Sequence, residues 1–128
     1  MEIVAKLLNA CLFGGMCFFS FGFAPVLFKQ LPVADVRPLL RGTFPYYYLV
    51  VIVLAGVAAL FSWPQSIAAA VLMALICGST IVARQKLMLI INKATDSDDK
   101  SQFRKLHGLS VVVQLVQIVL AGVATVLV

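Results

Sequence analysis

Four runs of nearly unbroken apolar residues, Ile3 to Phe28, Phe44 to Ser62, Ile67 to Ile91 and Leu106 to Val128, leave only short connections between them. Each approaches or exceeds the roughly 20 residues that a helix needs to cross a hydrocarbon layer. Within that layer open strands would leave backbone groups without partners, so the runs must be helices. The expectation is an all-α fold, an integral membrane four-helix bundle with antiparallel neighbours. The four spans would form a single transmembrane domain over residues 1–128, with no room for a second one.

Composition agrees: 62% of residues are hydrophobic, 12% are charged and mean hydropathy is +1.07, more apolar surface than a soluble chain of this length can hide. The formal charge of +5 does not point to nucleic acid, because the basic residues sit at the ends of apolar runs and not on one exposed face. Lys29, Arg37 and Arg41 flank the first connection, and Arg84, Lys86, Lys93, Lys100, Arg104 and Lys105 flank the third, leaving Lys6 alone on the other side. An even number of spans puts those two connections on one side. The positive-inside rule then predicts both connections in the cytoplasm and both the N and C termini outside it, in a cell inner membrane. Phe44, Tyr46, Tyr47 and Tyr48 would lie at the inner interface and Trp63 at the outer one. The first connection, Lys29 to Thr43, is expected to hold a short helix on the membrane surface.

The last run carries His107, Ser110, Gln114 and Gln117 at spacings of three, four and three, which places them on one helical stripe. Amides are costly against lipid, so the stripe should face the bundle interior, either as interhelical hydrogen bonding that fixes packing or as a polar pocket or pathway. In the third run Ala70, Ala74 and Gly78 repeat every four residues and suggest close packing there, Gly78 being a structural position. A hairpin of the third and fourth runs, turning near Ser97, brings Arg84 level with Val111 and Met88 level with His107. Arg84, Gln85, His107 and Ser110 are then expected to share one cytoplasm-facing site, with Gln114 and Gln117 continuing it. The alternative for Arg84 is snorkelling to the interface. Pro25 removes a hydrogen bond to the carbonyl of Phe21 and should bend the first helix.

Cys11, Cys17 and Cys77 lie inside spans without paired spacing and indicate neither a disulfide framework nor a zinc site. With Met16 and Met73 they could offer soft ligands to Cu(I), but Cys11 and Cys17 point to different faces, and no metal site is expected. One histidine, no carboxylate within a span and no phosphate loop leave no visible catalytic apparatus, so the chain is not expected to be an enzyme.

The segments Gly14 to Pro32 (GGMCFFSFGFAPVLFKQLP), Gly42 to Tyr48 (GTFPYYY), Ala83 to Asn92 (ARQKLMLIIN) and Phe103 to Gln117 (FRKLHGLSVVVQLVQ) together resemble the four-helix membrane family related to transmembrane protein 205, domain of unknown function 4149. The resemblance runs over essentially the whole chain. It implies that Pro25, Phe28, Phe44, Pro45, Tyr47, Arg84, Gln85, Asn92, His107 and Ser110 fall in signature segments, and it brings no biochemical activity. That family is distantly similar to membrane proteins of the copper-resistance D type and to membrane protoporphyrinogen oxidases, which implies a haem or copper site. Haem-linked relatives place a histidine in the first span, whereas this first span has none, leaving His107 without a second imidazole.

The reading from sequence is a membrane protein that binds or passes a small molecule, or serves as a membrane subunit in a homo-oligomer or beside a partner. The rival reading is a redox protein carrying haem or copper. No cofactor and no nucleic acid are expected; the lipid bilayer is the expected surrounding.

Overall fold

A computed structural model describes residues 2–128. Its architecture is four long helices, which we label α1 (Glu2–Gln30), α2 (Val33–Ser62), α3 (Ile67–Asp96) and α4 (Lys100–Leu127), each long and apolar enough to cross a membrane. The described residues contain no strand. Each helix packs chiefly on its sequence neighbours, and α4 returns to pack on α1.

The helices are longer than the apolar runs. Only Leu31 and Pro32 separate α1 from α2, because Pro32, extended at φ −59° and ψ 145°, serves as the N-cap of α2. The segment from Val33 to Thr43, expected as a connection with its own surface helix, is instead the first three turns of α2. Val36 is completely buried there and anchors it. Pro38 and Pro45 sit inside this helix, and Thr43 folds its hydroxyl back onto the Leu39 carbonyl at 2.7 Å.

The other connections are tight turns with caps. After Trp63, Pro64 and Gln65, the Ser66 hydroxyl accepts from the Ala69 amide at 3.2 Å, satisfying one of the donors that a helix start leaves open. At the end of α3, the Asp98 amide donates to the Thr95 carbonyl and the Asp99 amide to the Ala94 carbonyl, the paired bonds of a Schellman motif. Its left-handed position is held by Asp98 at φ 55°, where glycine is usual. Asp99 then caps α4 through the Gln102 amide at 3.1 Å.

Two helices change pitch. Phe18–Phe23 in α1 and Ala83–Leu87 in α3 are π-helical turns. The first lies immediately before Pro25, where the missing N–H and the ring's clash with the preceding turn disfavour regular α-helix; the Ala24 amide reaches back five residues to the Phe19 carbonyl.

The apolar core fills one half of the bundle with Leu12, Met16, Val51, Ala55, Ala58, Ala69, Met73, Ile76, Ile118, Ala121 and Ala124. The enclosed alanines let the helices approach closely, so that packing contacts replace the hydrophobic effect that lipid does not provide between spans. Helix α3 turns Ala69, Met73, Ile76, Thr80 and Ala83 inward. The expected seam of Ala70, Ala74 and Gly78 is therefore corrected: Ala70 is buried, but Ala74 and Gly78 are exposed, and a Cβ on Gly78 would meet open space. The inward face follows an alternating spacing of four and three that puts a hydroxyl, Thr80, against a glutamine of α4. Beyond the core, Asn9 is fully buried and donates to the Ser62 hydroxyl at 3.2 Å and to the Ala124 carbonyl at 3.3 Å, tying α1, α2 and α4.

Candidate functional site

Towards the Lys- and Arg-rich end the core gives way to a layer of aromatic and polar side chains. Three consecutive tyrosines of α2 divide by helical phase: Tyr46 is exposed while Tyr48 is buried and Tyr47 half-buried. The Tyr47 ring stacks on Phe19 with centroids 4.0 Å apart, and Phe19 meets Phe44 edge-on at 5.5 Å. The π-turn of α1 carries Phe19 and Ser20 into this layer. From α4, the Gln114 amide nitrogen donates to the Ser20 hydroxyl at 3.1 Å and to the Tyr47 hydroxyl. One side chain thus joins α1, α2 and α4. Ser110, one turn earlier on α4, is half-buried.

The sequence-derived candidates occupy five places. Gln117, 5% exposed, donates to the hydroxyls of Ser79 at 2.7 Å and Thr80 at 3.0 Å on α3. Gln114 and Ser110 belong to the aromatic layer. Arg84, on the π-turn of α3, donates through Nε to the Pro45 carbonyl of α2 at 3.3 Å, the mid-helix proline now serving as its acceptor. His107 is exposed and stacks parallel to Phe103 at 5.6 Å. Gln85 is exposed on the outside of α3. Among the described residues, no hydrogen bond joins Arg84 to His107, Ser110 or Gln114. Ser20 and Phe19 join the site without a sequence motif of their own; for Tyr47 the signal is its phase, three residues beyond Phe44 and on the same face.

Below the layer all four helices splay around an open cleft of about 880 Å³. Phe28 of α1, Arg37, Pro38, Leu40, Arg41 and Phe44 of α2, and Ile91, Asn92, Ala94 and Thr95 of α3 line it. Asp98 and Asp99 of the turn and Lys100, Phe103, Arg104 and His107 of α4 complete it. Phe44 belongs to both the cleft and the aromatic layer, so its ring is the cleft's floor. Arg41 is committed to Asp96 by a two-pronged ion pair, 2.8 and 3.0 Å, across the α2–α3 seam.

A haem or copper site asks for converging soft or imidazole donors. Here the single imidazole, His107, is exposed in the cleft, Cys77 directs its thiol to the Ile52 carbonyl at 3.5 Å, Cys11 is exposed, and Met16 and Met73 are enclosed in the apolar core. Among the described residues no three of His, Cys, Asp or Glu gather, so the donor set does not fit either group.

A family model described as domain of unknown function (DUF4149) matches residues 7–100. No curated protein and no solved structure matches the chain.

Proposed function

We propose that this chain, which belongs to the family described as domain of unknown function (DUF4149), is a multi-pass membrane protein that binds a small molecule in the cleft at the basic end of its bundle. In this reading neighbouring helices run antiparallel in a cell inner membrane, both termini outside the cytoplasm, as the distribution of Lys and Arg favours. The observation that carries the reading is the cleft itself, about 880 Å³ and lined from all four helices, a size and a mixture of apolar and polar walls that suit a small ligand.

Binding is favoured over passage because the cleft is blind. Its Phe44 wall is backed by Phe19 and Tyr47, Tyr47 is bonded to Gln114, and Leu12, Met16, Met73 and Ile76 are fully buried in the core. Among the described residues the polar side chains are spent on joining helices, Gln114 to Ser20 and Tyr47 and Gln117 to Ser79 and Thr80, which supports a binding reading over a catalytic one. A role as a membrane subunit, in a homo-oligomer or beside a partner, draws on the exposed Ala74 and Gly78 of α3, which leave room for another helix to approach. Haem or copper finds less support, since His107 lacks a second donor.

The test is retention of a ligand. Full-length protein purified in mild detergent should carry a stoichiometric small molecule identifiable by mass spectrometry. Asn92→Trp, which fills the cleft from a half-buried position, should lose it while keeping the helical circular dichroism and the melting midpoint. A wild-type protein with no retained compound, or equal retention by Asn92→Trp, would overturn the reading.

A further inference from the structure

We infer that the occupant of this cleft is an anionic amphiphile, a phosphate-bearing head held by Arg37, Arg104 and His107 with an apolar body lying over Phe28, Phe44 and Phe103. The inference rests on the reading of the cleft as a binding site and adds the chemistry of what it takes.

Charge is the first argument. Four cations line the cleft, Arg37, Arg41, Lys100 and Arg104, against two carboxylates, Asp98 and Asp99. Asp99 is engaged in capping α4 and Arg41 in its pair with Asp96. Arg37, Lys100 and Arg104 have no carboxylate within ion-pairing distance among the described residues. Planar guanidinium groups match the oxygens of phosphate two at a time.

The walls supply the second argument. Three phenylalanines with Ile91, Leu40 and Pro38 make up much of the lining, a surface that a bare phosphate or a sugar phosphate would leave wet. A ligand matching both halves has a charged end and an apolar end.

Depth supplies the third. Tyr46 and Trp63, exposed aromatics at the two ends of the apolar stretch of α2, are separated by about 26 Å at ~1.5 Å per residue, close to the hydrocarbon thickness of about 30 Å. Phe44 then stands at the boundary of the acyl region and Arg37 about 10 Å further along the helix, among headgroups. The cleft therefore runs from the acyl edge to the headgroup layer, along the axis on which an anionic amphiphile is already oriented. Basic pockets between spans at this depth are the usual seats of anionic headgroups.

The experiment is native mass spectrometry of the full-length protein in detergent, offered phosphatidylglycerol or phosphatidylcholine with identical acyl chains, with inorganic phosphate as a competitor. Phosphatidylglycerol should be retained at least tenfold over phosphatidylcholine, and the Arg37→Gln, Arg104→Gln double variant should lose most of that preference. Lys86→Gln, a cation outside the cleft, should not change it. Displacement of phosphatidylglycerol by millimolar inorganic phosphate would support the phosphate-binding chemistry and point to a soluble source. Resistance to phosphate with the double variant still impaired would support the lipid itself as the source. Equal retention of both lipids, each lost in Asn92→Trp, would overturn the anionic assignment and leave the cleft as a binding site. No retention of either lipid or of phosphate would also overturn it, the binding-site reading then being judged by the compound that wild type keeps and Asn92→Trp loses.

Discussion

Gln117 offers the sharpest test of how this bundle is held together. Its amide nitrogen has two N–H donors, and the structure gives them two acceptors, the Ser79 and Thr80 hydroxyl oxygens at 2.7 and 3.0 Å. Both hydroxyls direct their own protons to the Ile76 carbonyl, at 3.1 and 2.7 Å, so each oxygen is free to accept. Replacing Gln117 by leucine therefore removes two bonds without stranding a donor on α3. Interhelical hydrogen bonds in membrane proteins average about 0.6 kcal/mol with a maximum near 1.7, and the absence of a stranded group keeps the expected cost of Gln117→Leu near ~1.2 kcal/mol. In a double-mutant cycle with Thr80→Val, which cancels the loss of the Thr80 back-bond, the coupling should be about 0.6 kcal/mol. Reversible unfolding of the protein in bicelles by increasing SDS would measure all four corners. A coupling indistinguishable from zero would mean that the two side chains are not joined. A Gln117→Leu cost above about 3 kcal/mol would mean that a buried polar group had been left unpaired, and the satisfied network described here would be wrong.

Two glycines should behave oppositely when enlarged to leucine. Gly122 already brings a hypothetical Cβ to 3.1 Å from the Phe13 ring, so Gly122→Leu should lose about 1–3 kcal/mol, whereas Gly78→Leu enters open space and should stay within about 0.5 kcal/mol; equal unfolding midpoints would refute the assigned face of α3. Asp98→Gly should stabilise the Schellman turn by about 0.5–1 kcal/mol, since Asp98 occupies left-handed backbone that costs a side chain and not glycine; a lowered midpoint would contradict this. Reporter fusions after Val128 should be active only when the reporter works outside the cytoplasm, and a cytoplasm-active fusion would reverse the orientation.

Helix existence was legible because apolar runs this long have few other solutions. Helix ends were not: the residues from Val33 to Thr43 read as a polar connection, but a helix of 30 residues is about 45 Å long and projects through the headgroup layer, where charged residues cost little. The inward face of α3 was illegible for a different reason. That helix is apolar nearly all round in its membrane-spanning part, so the small-residue repeat at Ala70, Ala74 and Gly78 competes with the face through Met73, Ile76 and Thr80, and the need of the buried Gln117 amide for the Thr80 hydroxyl decides between them. The stripe on α4 could be drawn from spacing, but not the partners of its members. Gln114 and Gln117 face different helices, and Arg84 sits on a π-turn whose extra residue shifts its phase towards Pro45.

The ties at the basic end also set how the cleft can be entered. The seam between α1 and α2 is closed by a connection of only Leu31 and Pro32, and that between α3 and α4 by the turn through Asp98. The Arg41–Asp96 pair bolts the seam between α2 and α3. Between α1 and α4 the hydrogen bond nearest this end is the deeper one from Gln114 to Ser20, so under the proposed binding reading that side is the lateral way in. A guest arriving within the plane of the bilayer would pass between Phe28 and Phe103 without any loop moving aside, and its exchange would be governed by the sway of two helix ends.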